Sequence, residues 1–265
     1  MPVPRKEISS AKNPAIQRFR DAAVGTLEGV MLAEGARLVT EALDAGLPVI
    51  EAAVSPRLTD QKLRERLQQA AVSFLECSEE VLARMSALDT PQGVAILVSR
   101  PETKEEDLLR SDRVPLVVVA AGVRDPGNLG SLLRTAEAAG ATGCVTMRGG
   151  ADPFRDKAVR GSMGSIFRLP VLHGLDVAGV VAFCERRRLL LVVADGAADR
   201  VHTQVDLKAP MALVVGAEAA GVPEGLLRAA HARVRVPLVQ PVDSLNVAVA
   251  AGVLLFEAQR QRAER

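Results

Sequence analysis

Neither tryptophan nor tyrosine occurs among the 265 residues, and only six phenylalanines do. Proteins that read single-stranded nucleic acid by stacking bases on aromatic side chains need more platforms than that, so this mode of recognition is excluded. Cysteine is scarce too: Cys77, Cys144 and Cys184 are far apart, odd in number and without neighbouring histidines. That pattern argues against a disulfide framework and against a zinc site, and no metal is expected; it fits a reducing cytoplasm. No apolar run reaches the roughly 18 residues of a membrane helix. The opening Met1-Pro2-Val3-Pro4-Arg5-Lys6 lacks the apolar core of a signal peptide. A net charge of +1 carries no global nucleic-acid signal.

What is present is an ordinary globular balance, 48% hydrophobic and 25% charged, enough for a substantial core in one or two domains. Charge is uneven locally. Arg5, Lys6, Lys12, Arg18 and Arg20 face a single Glu7 in the first twenty residues, and Arg148, Arg155, Lys157, Arg160 and Arg168 form a second cluster. Each is either a solvated face or an anion-binding surface.

Hydrophobic periodicity predicts a basic helix over 9–20, a strand over 27–33, a helix over 36–45 and strands at 49–54 and 72–75. Helices are expected over 59–71 and 78–85, and a buried strand over 94–98. Residues 99–113 are mostly charged or polar and read as a linker. We therefore expect an N-terminal α/β domain over 1–99, a linker over 100–113 and a second domain over 114–265. The second domain opens with Leu116–Ala121, an apolar run typical of a strand buried on both faces. A glycine-rich turn over 122–130 leads into a helix expected at 131–139, with Arg134 on its first turn. Further strands are expected at 144–147, 189–194, 211–215 and 233–236, with helices over 157–163 and 175–186. Strands alternating with helices imply a parallel sheet with right-handed crossovers.

Three stretches can carry chemistry. Gly127 and Gly130 do not have dinucleotide-fingerprint spacing and no phosphate-loop Lys-Ser/Thr follows; the turn is either an Asn-capped helix start or a close backbone approach, and Arg134 a surface or a site residue. Glu218 follows the strand end at Gly216, and can bond a ligand or cap the helix over 225–230. Ser244-Leu245-Asn246 lies behind a stiff loop bounded by Pro237 and Pro241, ahead of the apolar run Val247–Phe256. Its polar side chains are helix caps or site groups.

Taken in order, Asn128-x-Gly130-x3-Arg134, Gly216-x-Glu218-x2-Gly221 and Pro237…Ser244-Leu245-Asn246-Val247 resemble the three signature motifs of the SpoU (TrmH) family of RNA ribose 2′-O-methyltransferases. The stretch from Lys157 to Ser165 is similar to that family as well. Ser9…Asn13-Pro14 and Glu34-Gly35-x-Arg37-Leu38-Val39 resemble its RNA-substrate-binding domain.

The resemblance implies a C-terminal α/β domain knotted as a trefoil, a smaller N-terminal α/β substrate-binding domain, and S-adenosylmethionine as methyl donor. It implies that Gly216, Ala217, Val236, Pro237, Leu238 and Leu245 contact the cofactor. Arg134 would be the central catalytic residue, with Asn128, Glu218, Ser244 and Asn246 shaping the site. It also implies a homodimer packed through the knotted domain and an RNA partner, ribosomal RNA of the large subunit by analogy. Lys6, Lys12, Arg18, Arg20, Arg155, Lys157 and Arg160 are the candidate RNA contacts. A tRNA ribose methyltransferase and a non-catalytic RNA-binding protein of the same fold are the competing readings; the full set Asn128, Arg134, Glu218, Ser244 and Asn246 counts against the latter.

Overall fold

The computed structural model describes residues 5–10, 12–110, 112–217 and 220–263. The chain forms two compact units, one of residues 1–102 with 154–168, the other of 103–153 with 169–265.

In the first unit β1 (Arg5–Ile8), α1 (Pro14–Val24), β2 (Val30–Glu34), α2 (Ala36–Asp44), β3 (Val49–Val54), α3 (Gln61–Ala70), β4 (Ala71–Cys77), α4 (Glu79–Met85) and β5 (Val94–Ser99) follow one another. The sheet order is β1-β4-β3-β5-β2, with β1, β4 and β3 parallel and β5 antiparallel to both its neighbours. The basic helix starts at Pro14 and not at residue 9. Asn13 accepts a hydrogen bond from the Ala15 N–H at 2.9 Å, and Pro14 takes the first helical position, where no N–H is needed. The residues expected to begin that helix instead follow β1, a short edge strand whose Arg-Lys-Glu-Ile sequence carries almost no apolar signal.

The second unit begins earlier than expected. Residues 105–108 form a 3₁₀ turn whose Leu108 is fully buried in its core. A Cβ at Gly143 would lie 2.6 Å from the Leu108 Cγ. Arg186 and Arg187 hold the turn's Glu105 in ion pairs. The polar stretch is thus a docked element and not a linker. After it come β6 (Leu116–Ala121), α5 (Pro126–Ala138) and β7 (Gly143–Met147). The chain then leaves for α6 (Asp156–Ser162) and returns with β8 (Val171–Leu175), α7 (Val177–Arg187), β9 (Leu190–Ala194), β10 (Met211–Gly216), α8 (Glu224–Ala229), β11 (Ala232–Val234) and α9 (Val247–Ala263). All pairings in the order β11-β9-β10-β6-β7-β8 are parallel, as the alternation of strands and helices predicts. Leu175 closes β8, which was not anticipated; Asp176 then caps α7 by accepting from the Gly179 N–H at 2.8 Å.

The excursion through α6 corrects the expected contiguous second domain, because residues 154–168 build into the first unit. There α6 packs on β2 and α1. Glu34 and Asp156 are both buried, and burial pushes both carboxyls above their ordinary range, while Arg160 beside Asp156 pulls the other way. Glu34 accepts the Ala87 N–H at 3.0 Å, Arg168 pairs with Glu41, and the Arg100 guanidinium lies 3.6 Å above the Phe154 ring.

The three cysteines are buried and unbridged. Burial pushes the thiols of Cys144 and Cys184 up to about 12 and that of Cys77 up to about 11, so at neutral pH they are protonated core groups and not nucleophiles.

At the far end of the second unit α9 is pinned to the start of the sheet. The Arg262 guanidinium donates to the carbonyls of Val114, Pro115, Leu207 and Ala209 at 2.7–3.2 Å, and Gln261 bonds both Leu207 N and Val205 O.

Candidate active site

A parallel sheet delivers the C-terminal ends of all its strands to one edge, and ligands of open α/β sheets sit there. Here β9, β10 and β11 end side by side, and the loop after β11 returns to the same edge before α9. Between them lies a cleft of about 380 Å³, within the range of about 300–1,000 Å³ that holds small-molecule ligands. Its apolar shelves come from Val215, Val236, Leu238, Leu245 and Leu254.

Gly216, at the end of β10, cannot be another residue without moving backbone. A Cβ there would stand 2.4 Å from the Gly221 carbonyl carbon and 2.6 Å from the Val222 nitrogen. The loop folds back this tightly because the Gly221 N–H donates to the Ala217 carbonyl at 2.8 Å, with Gly221 at φ +63°. Glu218 belongs to this loop but lies outside the described residues.

Of the expected cofactor contacts, Gly216, Ala217, Val236, Leu238 and Leu245 line the cleft and Pro237 does not. In extended chain successive side chains point to opposite sides, so Val236 and Leu238 turn inward and Pro237 outward to solvent. Ser244 also lines the cleft; its hydroxyl donates to Asp243 Oδ1 at 3.2 Å and caps no helix.

Asn246 does the capping. Its Oδ1 accepts the Ala248 N–H at 2.9 Å, which turns its Nδ2 toward Asn128, where it donates to Oδ1 at 2.9 Å. The first and third motifs, 118 residues apart, thus meet through two side-chain amides. Asn128 is not the cap of α5: Asp125 is, accepting the Asn128 N–H at 2.8 Å. Residues 126–130 of the glycine-rich stretch are the first turn and a half of α5, with Pro126 tolerated at the helix start and Gly130 buried.

Starting the helix five residues early moves Arg134 off the first turn. Six residues beyond Asn128, it lies about 120° around the axis and about 9 Å along it. It is exposed, lines no part of the cleft, and makes no hydrogen bond or ion pair with any described residue. Thr135, one residue on, faces Gly252 of α9, where a Cβ would come within 3.2 Å of its methyl group.

All seven candidate RNA contacts fall in the first unit, because residues 154–168, with Arg155, Lys157 and Arg160, belong to it. Lys6 and Lys12 are exposed, as are Arg155 and Lys157 around the start of α6. Arg18 is engaged with buried Glu51 at 2.8 Å, Arg20 donates to the Arg84 carbonyl at 2.7 Å, and Arg160 pairs with Asp156. Sequence reasoning missed Asp195, Gly196 and Arg235, which also line the cleft. Asp195 accepts from Arg233 Nε at 2.8 Å. The signal was legible, since Asp-Gly directly follows an apolar strand at the ligand-bearing edge.

A family model described as the SpoU rRNA Methylase family matches residues 115–256, and one described as the MRM3-like substrate binding domain matches residues 16–95. The chain is similar to the 23S rRNA (guanosine(2553)-2′-O)-methyltransferase RlmP of Bacillus subtilis, at 32% identity over 95% of this chain and 98% of the relative. It is 31% identical to rRNA methyltransferase 3A, mitochondrial, of Danio rerio over 88% of this chain, a match spanning 64% of that longer protein. Among solved structures, the AdoMet-bound rRNA methyltransferase from Sinorhizobium meliloti superposes with a TM-score of 0.83 at 32% identity, covering 97% of this chain and 98% of that one.

Proposed function

The chain belongs to the SpoU rRNA methylase family, and on that premise we propose that it is an S-adenosylmethionine-dependent RNA 2′-O-ribose methyltransferase acting on large-subunit (23S) ribosomal RNA. The observation that carries this reading is the Asn128–Asn246 amide pair beside a cofactor-sized cleft at the ends of β9, β10 and β11. The cleft's aliphatic shelves suit an adenosine held without aromatic stacking, and its closely approaching loops offer backbone groups for the polar edges. When bound, S-adenosylmethionine supplies a methyl group on a positively charged sulfur, an electrophile for a ribose 2′-oxygen.

The residues of this chain must meet the negative charge that grows on that oxygen. Arg134 is the group for this: a guanidinium is a poor base but a strong partner for phosphate and for a developing alkoxide. Asn128 and Asn246 set the ribose side of the cleft, and Glu218 and Ser244 complete it. A 2′-hydroxyl looks the same on every nucleotide, so choice of target falls to phosphate and shape contacts elsewhere. Lys6, Lys12, Arg155 and Lys157 of the first unit supply these, with Arg18, Arg20 and Arg160 contributing from their internal pairings.

The reading extends to a trefoil knot in the second unit, supported by the stiff 236–246 loop that returns α9 to the cleft. It extends also to a homodimer. Val249, Val253 and Phe256 are 54%, 36% and 48% exposed at helical spacing along α9, next in sequence to a loop that exposes Val239 at 85%. A second copy of the same face is the occupant expected. Phe256→Glu should convert a dimer to a monomer in light scattering, and a wild-type protein that is monomeric at micromolar concentration would remove the dimer from the reading. The cytoplasm is the proposed compartment, in keeping with three buried unbridged thiols.

The direct test maps ribose methylation on total RNA from cells with and without the protein. One 23S position should lose its 2′-O-methyl group in the deletion. A change confined to tRNA would move the substrate to the competing class. No S-adenosylmethionine binding by calorimetry, together with an unchanged methylation map, would leave only an RNA-binding role.

A further inference from the structure

Beside the cofactor cleft lies a second, smaller cavity of about 170 Å³, lined by Val123, Arg124, Asp125, Asn128, Ala217, Ala220 and Val247. The two share Ala217, Ala220 and Val247 as a common wall. The smaller one is well below the roughly 300 Å³ at which pockets begin to hold a drug-sized ligand, so it takes a group the size of a sugar and not a whole nucleoside. Its lining includes Asn128, which accepts a hydrogen bond from Asn246 Nδ2.

Arg124 stands at this cavity with its backbone fixed on both sides. The preceding Val123 is buried and its carbonyl accepts the Ala151 N–H at 2.8 Å, while the following Asp125 is the cap of α5. The guanidinium itself is exposed and makes no hydrogen bond or ion pair with any described residue. That sets it apart from Arg18, Arg160, Arg168, Arg186, Arg187 and Arg233, each of which meets a carboxylate. An exposed arginine on a fixed backbone, lining a sugar-sized cavity, is suited to a ribose that carries a phosphate, because the planar fork matches phosphate oxygens in pairs.

We propose that this cavity receives the ribose of the nucleotide to be methylated and that Arg124 anchors a phosphate attached to it. The assignment rests on the ribose-methyltransferase reading and adds to it a specific substrate contact. Its place is distinct from that of Arg134, which lines neither cavity. Anchoring the phosphate next to the shared wall would present the sugar to the cofactor cleft, whereas the cations of the first unit select which RNA arrives.

The test compares wild type, Arg124→Ala and Arg124→Lys in steady-state methylation of 23S ribosomal RNA at several salt concentrations, with S-adenosylmethionine affinity from calorimetry and folding from thermal melts. Loss of one charge-assisted phosphate contact should raise KM for RNA about tenfold in Arg124→Ala. Its cofactor affinity and melting temperature should stay at wild-type values. The slope of log(kcat/KM) against log salt should become shallower by about 0.7–0.9, the change expected for one phosphate contact. Arg124→Lys, keeping the point charge, should restore the slope and part of the KM. An Arg124→Ala enzyme with unchanged KM and salt slope overturns the assignment and leaves the methyltransferase reading standing. Lost cofactor affinity or a lowered melting temperature accounting for the KM change would make Arg124 a structural residue and overturn it too. A wild-type protein that binds S-adenosylmethionine but methylates no RNA overturns the underlying reading and this assignment with it.

Discussion

Arg134→Ala is expected to lower the rate of methyl transfer about 10²–10³-fold, the usual cost of removing one group aimed at a developing oxyanion, and to leave S-adenosylmethionine affinity unchanged. The two halves of this expectation have separate origins. The rate loss follows from the chemistry: oxygen gains negative charge as its proton leaves, and a guanidinium brought to that oxygen in the RNA complex would favour that state over the neutral hydroxyl. Unchanged affinity follows from position, since Arg134 lines no part of the cofactor cleft. Its exposure and lack of partners among the described residues mean that truncation leaves no buried group unsatisfied, so the variant should fold normally. Single-turnover methylation with saturating RNA, alongside calorimetry with the cofactor, measures both. Near-wild-type turnover would remove Arg134 from the chemistry, and a parallel loss of cofactor binding would assign it to the cleft.

Gly216→Ala is expected to do the reverse, weakening S-adenosylmethionine binding about 10–100-fold. The added Cβ would meet the backbone of Gly221 and Val222 at 2.4–2.6 Å, and backbone cannot rotate away as a side-chain end can. The loop over 217–221 must shift outward, breaking its Gly221–Ala217 hydrogen bond, and strain of this kind costs about 1–3 kcal/mol. Because Ala217, Ala220 and Gly221 form one wall of the cleft, the strain falls on the cofactor site. Isothermal calorimetry reads the affinity and a thermal melt with and without ligand reads the coupling. Wild-type affinity in Gly216→Ala would mean that the loop can yield without altering the cleft.

The close approach at Gly216 was legible, because only glycine fits where backbones nearly touch, whereas the role proposed for Arg134 rests on motif spacing. Burial of β6 was legible because it is a continuous apolar run. Short or weakly apolar elements were not. β1 has a charged sequence and is held by the edge of β4, and β8 exposes His173, so neither shows a period that marks a strand. The start of α5 was misplaced because glycine and proline signal turns in general, whereas here Asp125 caps a helix that tolerates both.

Sequence by itself determined the α/β class of each unit and the residue types proposed for the reacting centre, since these depend on local pattern and chemistry. Tertiary structure decided which of those residues touch. It set Asn246, and not Ser244, as the cap of α9 and joined it to Asn128 across 118 residues. It turned Pro237 out of the cleft and brought Asp195 in. It also placed α6 and its basic residues in the first unit. The reason is physical: capping, spacing and periodicity act over a few residues, whereas the contacts that build the cleft arise from parallel strands distant in sequence whose ends the sheet aligns on one edge.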